Sequence, residues 1–293
     1  MNKEKTQLEE VKDYWKGKNV PQQWYSEREP YTLQWFNEIS YKRYKLYYTY
    51  LVEGAEFAYH GNEKVLEVGC GIGTDLIEYA KYGANVSGVD LGPDQVMLTK
   101  INFKLRGLPY ETIQEGNAES LPFDDESFDL VYSFGVLHHT PDTKKAVNEI
   151  YRVLKKDGKA IVMVYARGWK HYIKRCLFQG LFRGRWLANS FDWKKVYNEI
   201  SEVHGNSPKT DIYSNKQVRE LFNNFKYLEV KKKRLGEFFE YPPYNTYVFP
   251  SIVRKVCYFL GLELLIGENW LVKAQKFTVK KETKLWEVLF KHY

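Results

Sequence analysis

Residues 65–75 read Val65-Leu66-Glu67-Val68-Gly69-Cys70-Gly71-Ile72-Gly73-Thr74-Asp75. A short apolar run carrying one acid ends in three alternating glycines, and a helical pattern begins at once. Glycines at 69, 71 and 73 let the chain turn sharply and let a ligand approach the main chain. The helix that follows aims its unpaired N–H groups at whatever occupies the loop. The stretch therefore predicts a strand–loop–helix unit that holds a nucleoside cofactor. It does not choose among such cofactors. Dinucleotide sites carry G-x-G-x-x-G, whereas this chain carries G-x-G-x-G. Glu67 argues against a pyrophosphate, which it would repel. It favours an ammonium group, held directly or through water.

Outward from this unit, short apolar runs at 64–68, 85–89, 111–115, 128–133 and 160–165 alternate with helical patterns at 74–82, 95–106 and 143–154. Strands and helices alternating at this spacing predict a parallel sheet with helices on both faces. Gly83, Gly107 and Gly158 fall where helices should stop. The alternation breaks after Tyr165. It resumes with a helix at 214–222 and strands at 227–232 and 270–276. Residues 1–63 read as a helical, aromatic N-terminal cap or lid. Residues 64–293 read as the core, with insertions at about 166–213 and 236–268 forming a substrate cap. In open α/β sheets ligands bind beyond the carboxyl ends of the strands, where such insertions lie. A short amphipathic helix is expected at 284–293.

The chain has 293 residues, 44% of them hydrophobic, and a net charge of +7 from 44 basic and 37 acidic residues. One large core is within reach, and the charge is mild. No RNA-binding motif accompanies it and the caps are aromatic, so nucleic acid is disfavoured as a partner. The 24 Tyr, 17 Phe and 8 Trp point to dense packing or to a pocket for flat ligands. Lys231-Lys232-Lys233-Arg234 reads as the solvated end of a strand. Cys70, Cys176 and Cys257 have neither metal nor redox spacing, so no metal is expected and the compartment reads as reducing. The polar first ten residues show no secretory signal, and the reading is cytoplasmic. Residues 252–266 are too short and too charged to span a bilayer. The apolar, basic segment 241–266 leaves a peripheral membrane contact open. Oligomeric state is not legible.

Asp90 closes the second run, about twenty residues beyond the first glycine. An acid there can accept from ribose hydroxyls, or it can cap the helix before Pro93. Residues 116–123 read Gly-Asn-Ala-Glu-Ser-Leu-Pro-Phe, followed by Ser127-Phe128-Asp129 and, after the fourth run, Leu137-His138-His139. On these residues the chain resembles the class I S-adenosylmethionine-dependent methyltransferases. It is most similar to the small-molecule group with G-(D/N)-A-x-x-L-P-F and L-H-H segments. The resemblance covers about 64–165 and the closing strands. It implies an α/β, Rossmann-like methyltransferase fold: a mostly parallel seven-stranded sheet with helices on both faces and added helical caps. It also implies S-adenosyl-L-methionine as cofactor, S-adenosyl-L-homocysteine as product and a small-molecule acceptor.

Carried over by residue, the resemblance places Glu67, Gly69, Cys70, Gly71 and Gly73 about the methionine moiety and ribose. Asp90 would bind the ribose diol, and Leu91 would pack by the adenine. Ala118 would offer its backbone N–H to the adenine ring. Asn117 stands where many relatives have Asp and would accept from the adenine amino group. Ser133 would make backbone contacts near the methionine part. His138 and His139 follow the fourth strand, where either could act as a general base. Equally, His138 could support the cofactor pocket and His139 cap the helix near Pro141. Tyr14, Trp15, Trp24, Tyr25 and Tyr31 could form a lid over the sulfonium, or could simply pack. The resulting expectation is methyl transfer to an O, N or C atom of a small molecule. The alternatives are a cyclase or lyase that consumes the cofactor without an acceptor, and a methyltransferase for a lipid or quinone-like substrate.

Overall fold

The computed structural model describes residues 6–16, 26–168, 184–201, 206–233 and 267–276. Trp24, Tyr25, Cys176, Cys257, most of the 236–268 insertion and the 284–293 segment lie outside the described residues. Seven strands form one sheet: β1 Lys64–Val68, β2 Asn85–Asp90, β3 Thr112–Glu115, β4 Phe128–Phe134, β5 Leu154–Tyr165, β6 Tyr227–Lys233 and β7 Asn269–Gln275. Their order is β3-β2-β1-β4-β5-β7-β6. The first five pair in parallel, and β7 runs antiparallel between β5 and β6. This is the mostly parallel, Rossmann-like sheet expected from the alternation and the resemblance.

The central strands are buried on both faces, which is why they read as continuous apolar runs. Successive residues point to opposite sides. Leu66, Val131 and Val162 face Ala146, Val147 and Ile150 of α6, Thr143–Val153. Val65, Val86 and Leu130 face Leu76 and Ile77 of α4, Thr74–Lys81, and Val96 and Phe103 of α5, Pro93–Arg106. Each such Val, Leu, Ile or Phe side chain contributes about 1.5–3 kcal/mol when fully buried. The N-terminal region adds α1 (Gln7–Trp15), α2 (Leu33–Lys42) and the short α3 (Leu51–Gly54). Trp35, Phe36 and Ile39 of α2 pack on Ile72 and Leu98, so this helix covers the α4–α5 side. A π-helical turn, Arg43–Tyr47, follows α2. Beyond β5 lie α7 (Arg185–Ala188), α8 (Trp193–Ser201) and α9 (Asn215–Leu221).

Three local expectations are corrected. Gly158 is not a helix stop: α6 ends at Val153 and the chain enters β5 directly. Its register on β4 shifts between Phe128 and Leu130. A Cβ on Gly158 would lie 2.9 Å from the Lys155 carbonyl oxygen, so the glycine serves a close backbone approach inside the strand. Asp142, not His139, caps α6, its side chain accepting from the Lys145 N–H at 3.0 Å. Lys232 is buried rather than solvated, with its ammonium 5.5 Å from the Trp270 ring centre. Among the described residues no helix is long and apolar enough to cross a membrane, and no His, Cys, Asp and Glu cluster could hold a metal ion.

Candidate active site

A pocket opens at the carboxyl ends of β1, β2, β4 and β5, under α1. Its floor is the glycine loop. Gly69 has φ +79°, and a Cβ there would lie 2.2 Å from Val136 Cγ2. Both the backbone conformation and the contact with the loop after β4 therefore require glycine. The N–H groups of Gly69 and Cys70 donate to the Val89 carbonyl at 2.8 and 3.0 Å, which fastens the loop to β2. The Gly71 N–H donates to Asp90 Oδ2 at 2.8 Å and the Gly92 N–H to Oδ1 at 3.2 Å. Gly92, not Asp90, is the N-cap of α5. Burial pushes the Asp90 carboxyl up, and the Gly71 and Gly92 N–H groups partly offset this. Asp90 is thus a rigid, partly desolvated acceptor on the pocket wall.

Behind the loop lies a buried charge cluster. Arg43 Nε donates to Asp75 Oδ1 at 2.7 Å and its Nη2 donates to Oδ2. Tyr44 and Tyr132 donate their hydroxyls to the same carboxylate at 2.6 and 2.8 Å. This fork fixes the guanidinium 4.5 Å from the Phe134 ring centre, and Arg43 lines the pocket. Nη1 is the nitrogen left to meet a ligand. Glu67 sits beside this cluster, and its Oε2 has no hydrogen-bond partner. Burial first, and then the Asp75 charge, push its carboxyl well above the usual range. An acid in this state becomes a strong acceptor when a cation arrives. Arg43 was not singled out in the sequence. The available signal was a basic residue inside the aromatic run 41–50, together with an acid, Asp75, directly after the glycine loop.

At the other end, Leu91, Asn117 and Ala118 line the pocket. Asn117 Oδ1 accepts from the Glu119 N–H at 3.0 Å, and a carbonyl oxygen has a second lone pair for another donor. Leu8, Val11 and Trp15 of α1 form the roof. The helix is tied down where Gln95 Nε2 donates to the Trp15 carbonyl at 2.6 Å. A capping box between Thr6 and Glu9 starts it.

The third side is a chamber of side chains. His139, Met163, Tyr165 and Trp15 line it. The His139 ring lies 4.9 Å, edge-on, from Trp15. Its Nδ1 is 2.8 Å from the Lys209 carbonyl oxygen. His138 is completely buried behind it, 3.9 Å from the Tyr165 ring, and is not a lining residue. Of the other sequence candidates, Gly69, Gly71, Asp90, Leu91, Asn117, Ala118 and Trp15 reach the wall. Glu67, Cys70, Gly73 and Ser133 stand in the layer behind it; Ser133 Oγ ties β4 to β1 by donating to the Val68 carbonyl at 2.9 Å. Tyr14 packs edge-on to Trp15. Tyr31 is 54% exposed and rests against Trp35, away from the wall.

Residues 66–162 match the family described as "Methyltransferase domain". The chain carries a class I S-adenosylmethionine-dependent methyltransferase domain. An uncharacterised methyltransferase of Bacillus subtilis, YcgJ, is 36% identical over 100 residues, covering 34% of this chain and 40% of that protein. A demethylmenaquinone methyltransferase of Lactobacillus johnsonii is 36% identical over 124 residues, covering 37% of this chain and 50% of that protein. The matched segment thus spans half or less of these relatives' lengths. In fold, a chain from a complex of the Haloferax volcanii Trm112 methyltransferase activator with a methyltransferase superposes with a TM-score of 0.53. The two are 17% identical, and the match covers 86% of this chain and 100% of the other. The methyltransferase family's cofactor is S-adenosylmethionine.

Proposed function

We propose that the chain transfers the methyl group of S-adenosylmethionine to an O, N or C atom of a small molecule. The observation that supports this best is the continuity of the pocket. The rigid Asp90 carboxylate and the glycine loop share one cavity with an aromatic chamber that contains His139. The cofactor, when bound, supplies an electrophilic methyl carbon on a sulfonium. Asp90 accepts from the ribose hydroxyls, while Asn117 and the Ala118 N–H meet the adenine edge. Arg43, through Nη1, takes the carboxylate of the amino-acid end, and Glu67 takes its ammonium directly or through water. Helix α1 covers both compartments and excludes water. Displacement at carbon draws its rate mainly from this alignment and desolvation.

A lipid or quinone-like acceptor is the second reading. The apolar chamber favours it, and so does the likeness to a demethylmenaquinone methyltransferase. Calorimetry tests the cofactor assignment: S-adenosylmethionine and S-adenosylhomocysteine should bind. No heat with either, or tighter binding of NADH, removes it. Mass spectrometry of products from S-adenosylmethionine with cell extract, against S-adenosylmethionine alone, identifies the acceptor. Products formed from the cofactor alone would replace methyl transfer with internal cyclisation or elimination.

A further inference from the structure

The chamber's chemistry narrows the acceptor. Only two formally charged side chains line the pocket among the described residues, Arg43 and Asp90. Arg43 is forked onto Asp75, and Asp90 holds two backbone N–H groups. The acceptor end offers Trp15, Met163 and Tyr165 as apolar faces and edges, with His139 as its titratable base. Among the described residues it therefore has no cation aimed at a carboxylate or phosphate and no carboxylate aimed at an ammonium. Such a chamber suits an uncharged, planar molecule.

The state of His139 is set from outside the pocket. A carbonyl oxygen can only accept, so the contact with Lys209 O at 2.8 Å places the proton on Nδ1. In the neutral ring Nε2 then carries the lone pair. The Lys209 side chain turns back and donates to the Thr140 and Pro141 carbonyls, each at 2.6 Å. The Asp211 N–H donates to the His138 carbonyl at 3.0 Å. Residues 207–211, which follow α8, thus clamp the turn after β4 at several points.

We propose that the acceptor is a planar, uncharged molecule carrying a phenol-like hydroxyl, that His139 Nε2 takes the hydroxyl proton, and that Lys209 is the positioning residue that holds this tautomer. This rests on the methyltransferase reading above. The acceptor oxygen forms the new bond to the methyl carbon, and the carbon–sulfur bond breaks with its pair kept by sulfur. The proton passes to His139 and then to solvent. The other titratable groups about this ring are His138, Tyr165 and the Lys209 ammonium, which pairs with Asp211 at 3.1 Å.

The test uses the full chain with three probes of one size: 2-naphthol, 2-naphthoate and 2-naphthylmethylammonium. With S-adenosylmethionine, the methyl ether of 2-naphthol should be the product seen by mass spectrometry. His139→Gln should lower kcat about a hundredfold or more with KM little changed, the scale of general-base catalysis. A readout without turnover uses S-adenosylhomocysteine in place of the cofactor. 2-Naphthol bound to that complex should show the absorbance of naphtholate, and His139→Gln should abolish it. Lys209→Met should lower kcat more than it raises KM, and Lys209→Arg should restore it. Methylation of the naphthoate or the ammonium instead, or full activity and naphtholate signal in His139→Gln, overturns the proposal. So does inertness of all three probes while S-adenosylhomocysteine still binds, and the cofactor reading then stands. Loss of S-adenosylhomocysteine binding in the unaltered protein would instead sink the cofactor reading itself.

Discussion

The two sides of the pocket are made of different material. The proposed cofactor side is largely main chain: a loop in which every second residue, Gly69, Gly71 and Gly73, lacks a Cβ, pinned to β2, with glycine N–H groups holding Asp90. The proposed acceptor side is side chain: Trp15 from α1, His139 from the turn after β4, Met163 and Tyr165 from β5. A main-chain wall works because certain atoms are missing, so almost any addition spoils it. A side-chain wall can be rebuilt with other residues while the sheet stays as it is, which is how one fold comes to serve many acceptors.

The sharpest way to break this contrast is Arg43→Met, on the pocket wall beside Phe134. It leaves Asp75 buried with two phenols and no counter-charge. Stability should fall by about 3–5 kcal/mol, read from urea denaturation, together with loss of cofactor affinity. Next is Gly69→Ala. The left-handed backbone costs an alanine about 1–2 kcal/mol and the clash with Val136 about 1–3 kcal/mol, so about 2–5 kcal/mol is expected in all. Adding Val136→Ala should recover the second part and not the first. Equal stability of Gly69→Ala and the unaltered chain would refute the main-chain account.

Asp90→Ala separates binding from folding. It should weaken S-adenosylhomocysteine by about 1.5–3 kcal/mol in calorimetry, the scale of hydrogen bonds to a charged group, while the melting temperature changes little. Glu67→Gln should act in the opposite sense on the two quantities. The Glu67 carboxyl is raised in the folded protein by burial and then by Asp75. Its contribution to stability is therefore present below the ordinary carboxylate range and is lost as pH rises through the raised value. The glutamine variant should be more stable than the unaltered chain by about 1 kcal/mol at neutral pH and should bind the cofactor less tightly. The stability difference should vanish at acid pH; if it persists there, burial of the charge is not its cause. The smallest effect belongs to Lys12→Ala. This residue pairs with Glu115 at 3.1 Å across half-exposed side chains. Stability should change by about 0.5 kcal/mol or less.

The same contrast decides what could be read in advance. The strands were legible because both faces of the sheet are covered, so each strand is an apolar run bounded by punctuation. This wall of the pocket was legible because Gly69, Gly71, Asp90 and Asn117-Ala118, which line it, stand at local spacings that follow from one strand–loop–helix unit each. Arg43 was not, because it reaches the pocket from the π-helical turn after α2 and is recognisable only through its partner Asp75. Nor was the Lys209 clamp, since a lysine carbonyl 70 residues from His139 carries no mark in its side chain. Gly158 misled for a plainer reason. A glycine after a helical pattern commonly stops a helix, but here the next strand had already begun.

The placement of β7 has a consequence for synthesis. β5 is complete at Tyr165, yet its outer partner begins only at Asn269. Among the described strands β6 pairs with β7 alone, so it cannot cover that edge by itself. While the chain is being made, the parallel half of the sheet can assemble with a long, apolar edge still open, a template for pairing with a neighbour. The excursions between these strands lengthen that interval, although the entropy of closing the loop grows only slowly with its length. Enlarging them to recognise a new acceptor would therefore cost little in final stability and more in time spent exposed during folding.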